Sequence, residues 1–398
     1  MFRSDSLSQL AILLLIVIFA AGCGHSASTE TAPEVNISDA AVRHIEFSDL
    51  SACDADVLAR SSVPGAMNRV TSCSEGAGFA VATGEHIYLG DFEGGLNPVA
   101  SMSDILSGDV SGIQLTSDPT RIALLDGEAG LVEVLDESGK ALFDVGGDFE
   151  AMSLGPGGDW LATIATDGTV NVWDPDAGVP LASFEGGGTG EGISPSGGGR
   201  RIIARTAEGI SLLDVESGRV ESIPLERGLL GDVLLSEGVD TIYVATEEPD
   251  SSVYAFDPNL EARWSYLLPG GVSPALVADA TGEHLLVYGA HEVQAYVTAI
   301  HGSSGRALWR LTLEEGYVVS SASWDDDGRA VLGVLEESEE RLDSHPAEPT
   351  LALCVDPGGE VASMVEISEG EIMDILPAGR VIVHNTGTGS MVVHSPRR

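Results

Sequence analysis

Apolar and polar residues alternate along this chain in short runs, and Gly- and Asp-containing turns separate the runs. A period of two marks half-buried strands, and punctuation this dense leaves little room for long helices. The stretch ATDGTVNVWDPDAG, residues 165–178, shows the unit clearly: an Asp-Gly turn, an alternating strand, and Trp173-Asp174 at its end. Strand, Asp, short turn and second strand recur as HIYLGDFEGG, LVEVLDESGKALF, VNVWDPDAGVPLASF, ISLLDVESGRVESI, VYAFDPNLEARWSY, VTAIHGSSGRALWRL and LALCVDPGGEVASMV. Their turns begin at Asp91, Asp136, Asp174, Asp214, Asp257, His301 and Asp356, with successive spacings of 45, 38, 40, 43, 44 and 55.

A second repeat precedes several of these strands as SLGPGGDWLATI, ISPSGGGRRIIA, VADATGEHLLVY and SWDDDGRAVLGV, each a hairpin with a Gly-containing turn. Four strands at a period near 40 to 45 are the mark of a propeller blade. Outer strands are expected near His44, Pro98, Ala141, Leu181, Val220, Ala262, Ala307 and Val361, which makes eight. The final segment RVIVHNTGTGSMVVHSPRR supplies two strands and then stops, whereas RHIEFS at residues 43–48 is an outer strand with no inner strands before it. Pairing these two would close a ring and remove its open edges. The expectation is therefore an all-β, eight-bladed β-propeller over residues 43–398, with seven blades as the alternative if the first unit is irregular.

The N-terminus departs from this pattern. A short polar start with Arg3 leads into an apolar run from Leu10 to Phe19, too short to span a bilayer, and then into Ala20-Ala21-Gly22-Cys23. That order predicts a cleaved export signal over residues 1–22. Residues 24 to about 42, rich in Ser, Thr, Ala and Glu without a sustained period, predict a flexible tether. Export puts Cys53 and Cys73 in an oxidising compartment, where a structural disulfide is their natural pairing; Cys354, in LALCVD, is then a free thiol buried in a strand.

Composition narrows the function. With 62 acidic and 19 basic residues the formal charge is −43, which repels phosphate backbones and anionic headgroups. Nucleic-acid binding is not expected, nor membrane docking through a basic patch.

Four resemblances add to this reading. Small residues before Cys23 resemble the bacterial lipobox, which implies acylation of Cys23; Gly24, rather than Asp, after the cysteine implies passage to the outer membrane of a Gram-negative bacterium. ATDGTVNVWDPDAG is similar to a WD repeat, with Asp167 in the turn and Trp173-Asp174 at the strand end. VYAFDPNLEARWSYLL and VTAIHGSSGRALWRLTL look like the repeats of pyrroloquinoline-quinone-type propellers, which implies blade-docking roles for Trp264 and Trp309, as for Trp173 in the WD-like unit. In that pattern Glu261 stands for the usual Gly and His301 for the usual Asp. Lipobox, tether and eight blades together resemble the propeller lipoprotein of the outer-membrane protein assembly machinery.

No catalytic, metal or cofactor site is expected. A quinoprotein dehydrogenase would carry adjacent cysteines and a calcium ligand set, and neither is present in the sequence. Asp325-Asp326-Asp327-Gly328 lacks the alternating oxygen ligands and distal Glu of a calcium loop and reads as a solvated turn. The nine histidines are scattered without metal-ligand spacing. The irregular segments are LEESEERLDSHPAEPT, residues 335–350, and the connection at 49–68; both fall on one face by strand order and form a candidate patch for a protein partner. The expected function is a monomeric, non-catalytic interaction scaffold that touches the membrane through its lipid alone; the alternative is an enzyme or small-ligand sensor using the central channel.

Overall fold

The computed structural model describes residues 42–45, 56–62, 67–72 and 78–395, apart from the intervals 92–94, 106–109, 118–119, 186–192, 196–199, 207–208, 225–229, 237–240, 248–250, 270–271, 292–293, 326, 337–350, 367–370, 377–379 and 386–389. Its regular structure is strand throughout, with one helical turn at Met102–Ile105. Eight sheets follow one another along the chain. Sheets one to seven each contain four consecutive antiparallel strands, spanning 67–101, 110–146, 149–185, 193–224, 230–267, 272–313 and 317–366, and sheet six carries a fifth from the N-terminal segment. The eighth takes three strands from 371–395 and its fourth from Asp56–Ser62.

Within a sheet, burial follows position. The two middle strands lie between neighbouring sheets and read as continuous apolar runs, as in Phe79–Thr83 and Thr241–Thr246, where every residue is buried. Outer strands alternate, as in Ala141–Gly146 and Arg219–Pro224. Pro98, Pro180 and Pro224 stand on outer strands, where a missing N–H blunts an open edge.

The apolar core is divided into layers between successive sheets. Ile122, Leu124 and Leu135 meet Ala80 and Ile87 between sheets one and two; Tyr243, Trp264 and Tyr266 meet Leu285, Val287 and Tyr296 between sheets five and six. Trp309 and Leu311 meet Trp324, Leu332 and Leu353 between sheets six and seven. The first strands of successive sheets are neighbours, and the first strand of the eighth sheet neighbours that of the first.

The N-terminal pairing corrects the expectation from sequence. Asp56–Ser62 pairs antiparallel with the last strand, from Asp56 opposite Ser395 to Ser62 opposite Ser390. The strand expected there, at 43–48, instead lies as Val42–Ile45 parallel to the outer strand Ala307–Leu313 of sheet six. Both segments are short and mix apolar with polar residues, so pattern alone could not say which one the last sheet accepts. Consequently the segment 49–68 is not a plain connection; most of its described part is a strand.

Candidate functional site

The repeated Asp residues build the turns between third and fourth strands. Asp136 Oδ1 accepts the Ser138 and Lys140 N–H groups at 2.9 and 3.0 Å and the Ser138 hydroxyl. Asp174 Oδ1 accepts from the N–H groups of Asp176 and Ala177, and Asp214 Oδ1 from Ser217. Asp257 binds the N–H groups of Asn259 and Glu261; Asp91 and Asp356 each bind the one four residues on. Such side-chain acceptors replace the bonds that a tight turn withholds from its own backbone. The Ser138 hydroxyl and the Lys140 N–H hold the Asp136 carboxyl below its ordinary value, and Ser217 does the same for Asp214. At His301 the ring Nδ1 lies 3.2 Å from Ser303 Oγ and 3.3 Å from Ser304 Oγ.

Six of these turns also contain one residue with positive φ among the described residues. It is the fourth residue after the Asp or His at Gly178, Gly218 and Gly305 (φ 66°, 68° and 69°), and the third at Gly139, Leu260 and Gly359 (φ 79°, 64° and 81°). Leu260, not Glu261, therefore occupies the glycine position of its repeat. It packs with Ile223 against the apolar layer between sheets four and five. At three of these turns the residue closely faces the outer strand of the preceding sheet: a Cβ at Gly359 would lie 2.6 Å from Trp309, one at Gly305 2.7 Å from the Trp264 ring, and one at Gly139 would strike the Val99 carbonyl, whereas one at Gly218 would meet nothing within 4 Å.

The three tryptophans differ in how they sit. Trp264 is 2% exposed, and its Nε1 donates to the Gly302 carbonyl of sheet six at 2.8 Å. Trp309 is equally buried and lies against Gly359 of sheet seven. Trp173, half-buried, donates to Thr163 Oγ1 within its own sheet at 3.1 Å, and its ring lies 5.9 Å from Phe143 of sheet two.

Along the first strands, polar side chains reach across to the next sheet. Gln114 Nε2 donates to the Met152 carbonyl at 3.2 Å, and its Oε1 accepts the Leu154 N–H at 2.6 Å. Asp232 bonds the N–H groups of Leu276 at 2.9 Å and Val233 at 2.8 Å. Burial raises the Asp232 carboxyl, against the pull of those bonds and of Arg205; Tyr288 is pushed up to about 12 by burial and by the Asp232 charge. Arg205 itself donates to the Gly231 carbonyl at 2.6 Å. With Asp232 committed to two amides, this group staples sheets five and six more readily than it moves protons.

Other ionic groups are paired with carboxylates of turns. Arg121 forks onto Asp176 at 2.9 and 3.0 Å and also reaches the Gly158 carbonyl, tying sheet two to sheet three. Arg329 binds Asp325 at 2.7 Å and Asp327 at 3.3 Å, so the acidic turn of sheet seven holds an arginine; Asp326 lies outside the described residues. His284 Nδ1 lies 2.6 Å from Asp279 Oδ2. No group of three or more His, Cys, Asp or Glu suited to a metal ion occurs among the described residues. Cys354 is free and buried, and burial raises its thiol. Sequence reasoning missed Glu133: it is 8% exposed opposite Asp144, and burial, then the Asp144 charge, push its carboxyl up to about 7. A Glu inside the otherwise apolar LVEVL was the signal. Cys23, Cys53 and Cys73, and residues 337–350 of the candidate patch, lie outside the described residues.

Comparison with known proteins places the fold. No family model matches the chain, and no curated protein matches it. Among solved structures it is similar to BamB from Moraxella catarrhalis, with a TM-score of 0.55 and 14% identity over 85% of this chain and 98% of that one. It is also similar to the β-propeller domain of Cps50 (Swd1) from Myceliophteria thermophila, with a TM-score of 0.52 and 13% identity over 74% and 98%. The fold is that of a β-propeller. At these identities the likeness concerns the fold alone, and the propeller's strands are framework on which loops carry individuality.

Proposed function

We propose that this protein is an eight-bladed β-propeller, lipid-anchored through Cys23 in the cell envelope, that serves as a monomeric, non-catalytic scaffold for another envelope protein. The blade number rests on the eight sheets and on their first strands, which neighbour one another in a cycle that returns to the first. Closure by Asp56–Ser62 leaves no sheet without its fourth strand.

One observation carries the scaffold reading. Two polar side chains of the first strands, where a channel ligand would have to be met, are already engaged by backbone groups of the next sheet: Gln114 and Asp232. Irregularity sits instead in the connections, above all residues 335–350, and connections are where a propeller presents contacts. The lipobox-like Ala20-Ala21-Gly22-Cys23 supports the anchor and, with it, a place in the envelope; the fold likeness to BamB supports the propeller.

Affinity capture from native envelopes followed by mass spectrometry tests the scaffold. The full chain should enrich a defined envelope protein, and deletion of residues 337–348 should lose it; an unchanged set of partners argues against the patch. Metabolic labelling with a fatty acid tests the anchor, since label equal on the natural chain and on Cys23→Ala removes it.

A further inference from the structure

Sheet six is the one sheet with five strands among the described residues, and its extra strand belongs to the N-terminal segment. Val42–Ile45 pairs in parallel register with the outer strand: Val42 with Arg310, Arg43 with Leu311, His44 with Thr312 and Ile45 with Leu313. Two polar contacts fix the register, His44 Nδ1 to Thr312 Oγ1 at 3.2 Å and the Thr312 hydroxyl to the Arg43 carbonyl at 3.5 Å. A third contact crosses to the next sheet, from Arg43 Nη1 to Glu360 Oε1 in the turn of sheet seven at 3.5 Å. Ile45 packs against the layer between sheets six and seven, whereas Val42 is 59% exposed.

This attachment is separate from ring closure, which Asp56–Ser62 performs two sheets further on. It is also weak by construction. Four residues in a parallel ladder, which is slightly less stable per residue than an antiparallel one, half-bury a single aliphatic side chain, Ile45. The ten residues 46–55 connect Val42–Ile45 to the closing strand, so release of the former leaves the latter in place.

We infer that Val42–Ile45 is a detachable clasp that decides which side of the ring the N-terminal segment leaves from. Docked, the segment departs from the rim of sheet six, and residues 24–41 lie between Cys23 and the body. Undocked, it departs from the rim of sheet eight and residues 24–55 are free to extend, which raises the maximum reach from about 60 Å to about 110 Å. The consequence for a membrane-bound protein rests on the anchored reading above: the clasp sets which rim faces the lipid and how far the body can stand from it.

Arg43 offers the test, because it is the one Lys or Arg between Arg3 and Arg60. In the full mature chain, trypsin should cut after Arg43 at least tenfold more slowly than in Ile45→Asp, while both chains keep the same melting midpoint. A His44→Cys/Thr312→Cys variant should form a disulfide that suppresses the cut until it is reduced. Equal cutting rates, failure of the disulfide to form, or loss of the fold in Ile45→Asp would each overturn the clasp. Fatty-acid label on Cys23 with equal cutting rates sinks the clasp and keeps the anchor; slow cutting without label does the reverse.

Discussion

Gly305 and Gly218 occupy the same place in two turns of the same length, and replacing each by Ala separates backbone strain from contact between sheets. Both accept φ near 69° (69° and 68°), and both donate their N–H to the residue four back, His301 or Asp214, at 2.9 Å. An Ala at either position pays the left-handed cost of an L-residue, about 1 kcal/mol. At Gly218 nothing lies within 4 Å of the new methyl, so the change should stop there. At Gly305 the methyl would lie 2.7 Å from Trp264 Cδ2, a distance that requires the ring or the turn to shift. Overpacking adds about 1–3 kcal/mol. Moving the ring also strains the 2.8 Å bond from Trp264 Nε1 to the Gly302 carbonyl, worth about 1 kcal/mol. Gly305→Ala should therefore cost about 3–5 kcal/mol, against about 1 kcal/mol for Gly218→Ala. Equilibrium urea unfolding followed by circular dichroism would measure both from the midpoints at a common slope. Costs within about 0.5 kcal/mol of each other would refute the view that the turn of one sheet docks on the tryptophan of the one before.

Glu133 predicts a pH dependence. Its folded carboxyl is raised to about 7 from 4.5, so its stabilising share is complete below 4.5 and is lost as pH rises through 7. Glu133→Gln should be close to neutral at pH 4 and should exceed the natural chain by up to about 3 kcal/mol at pH 8.5 in urea unfolding; a pH-independent gap would refute the assignment. Asp176→Asn should cost about 1–2 kcal/mol by the same assay, because the buried Arg121 keeps Gly158 but loses its fork, while Asp176 itself is 65% exposed. Cys354 should resist iodoacetamide in the folded chain and react in urea, as read by peptide mass mapping; rapid labelling of the native protein would contradict its burial and raised thiol.

Much of this architecture was legible because its signals are local. Alternation placed the strands, and an Asp or His three or four residues before a Gly placed the turns, since the side-chain acceptor and the positive φ both act within one turn. Outer strands expected near Ala141, Val220 and Ala262 begin at Ala141, Arg219 and Ala262. Leu260 misled the local reading because a bulky residue holds the left-handed position there, compensated by packing on a neighbouring sheet that no local pattern displays.

What the sequence determined by itself, then, was the repeating unit: four short strands, their order, and the residues that turn the chain between them. Tertiary structure decided what joins to what. Val42–Ile45 and Asp56–Ser62 are both short segments of mixed apolar and polar residues, and only the edges offered by sheets six and eight assign one to each. It likewise decided that Asp232 and Gln114 bind backbone of the next sheet, and that Glu133 is buried opposite Asp144 of the outer strand. Periodicity is a property of neighbours along the chain, whereas edge pairing and side-chain stapling depend on surfaces that residues distant in sequence create only when the sheets assemble.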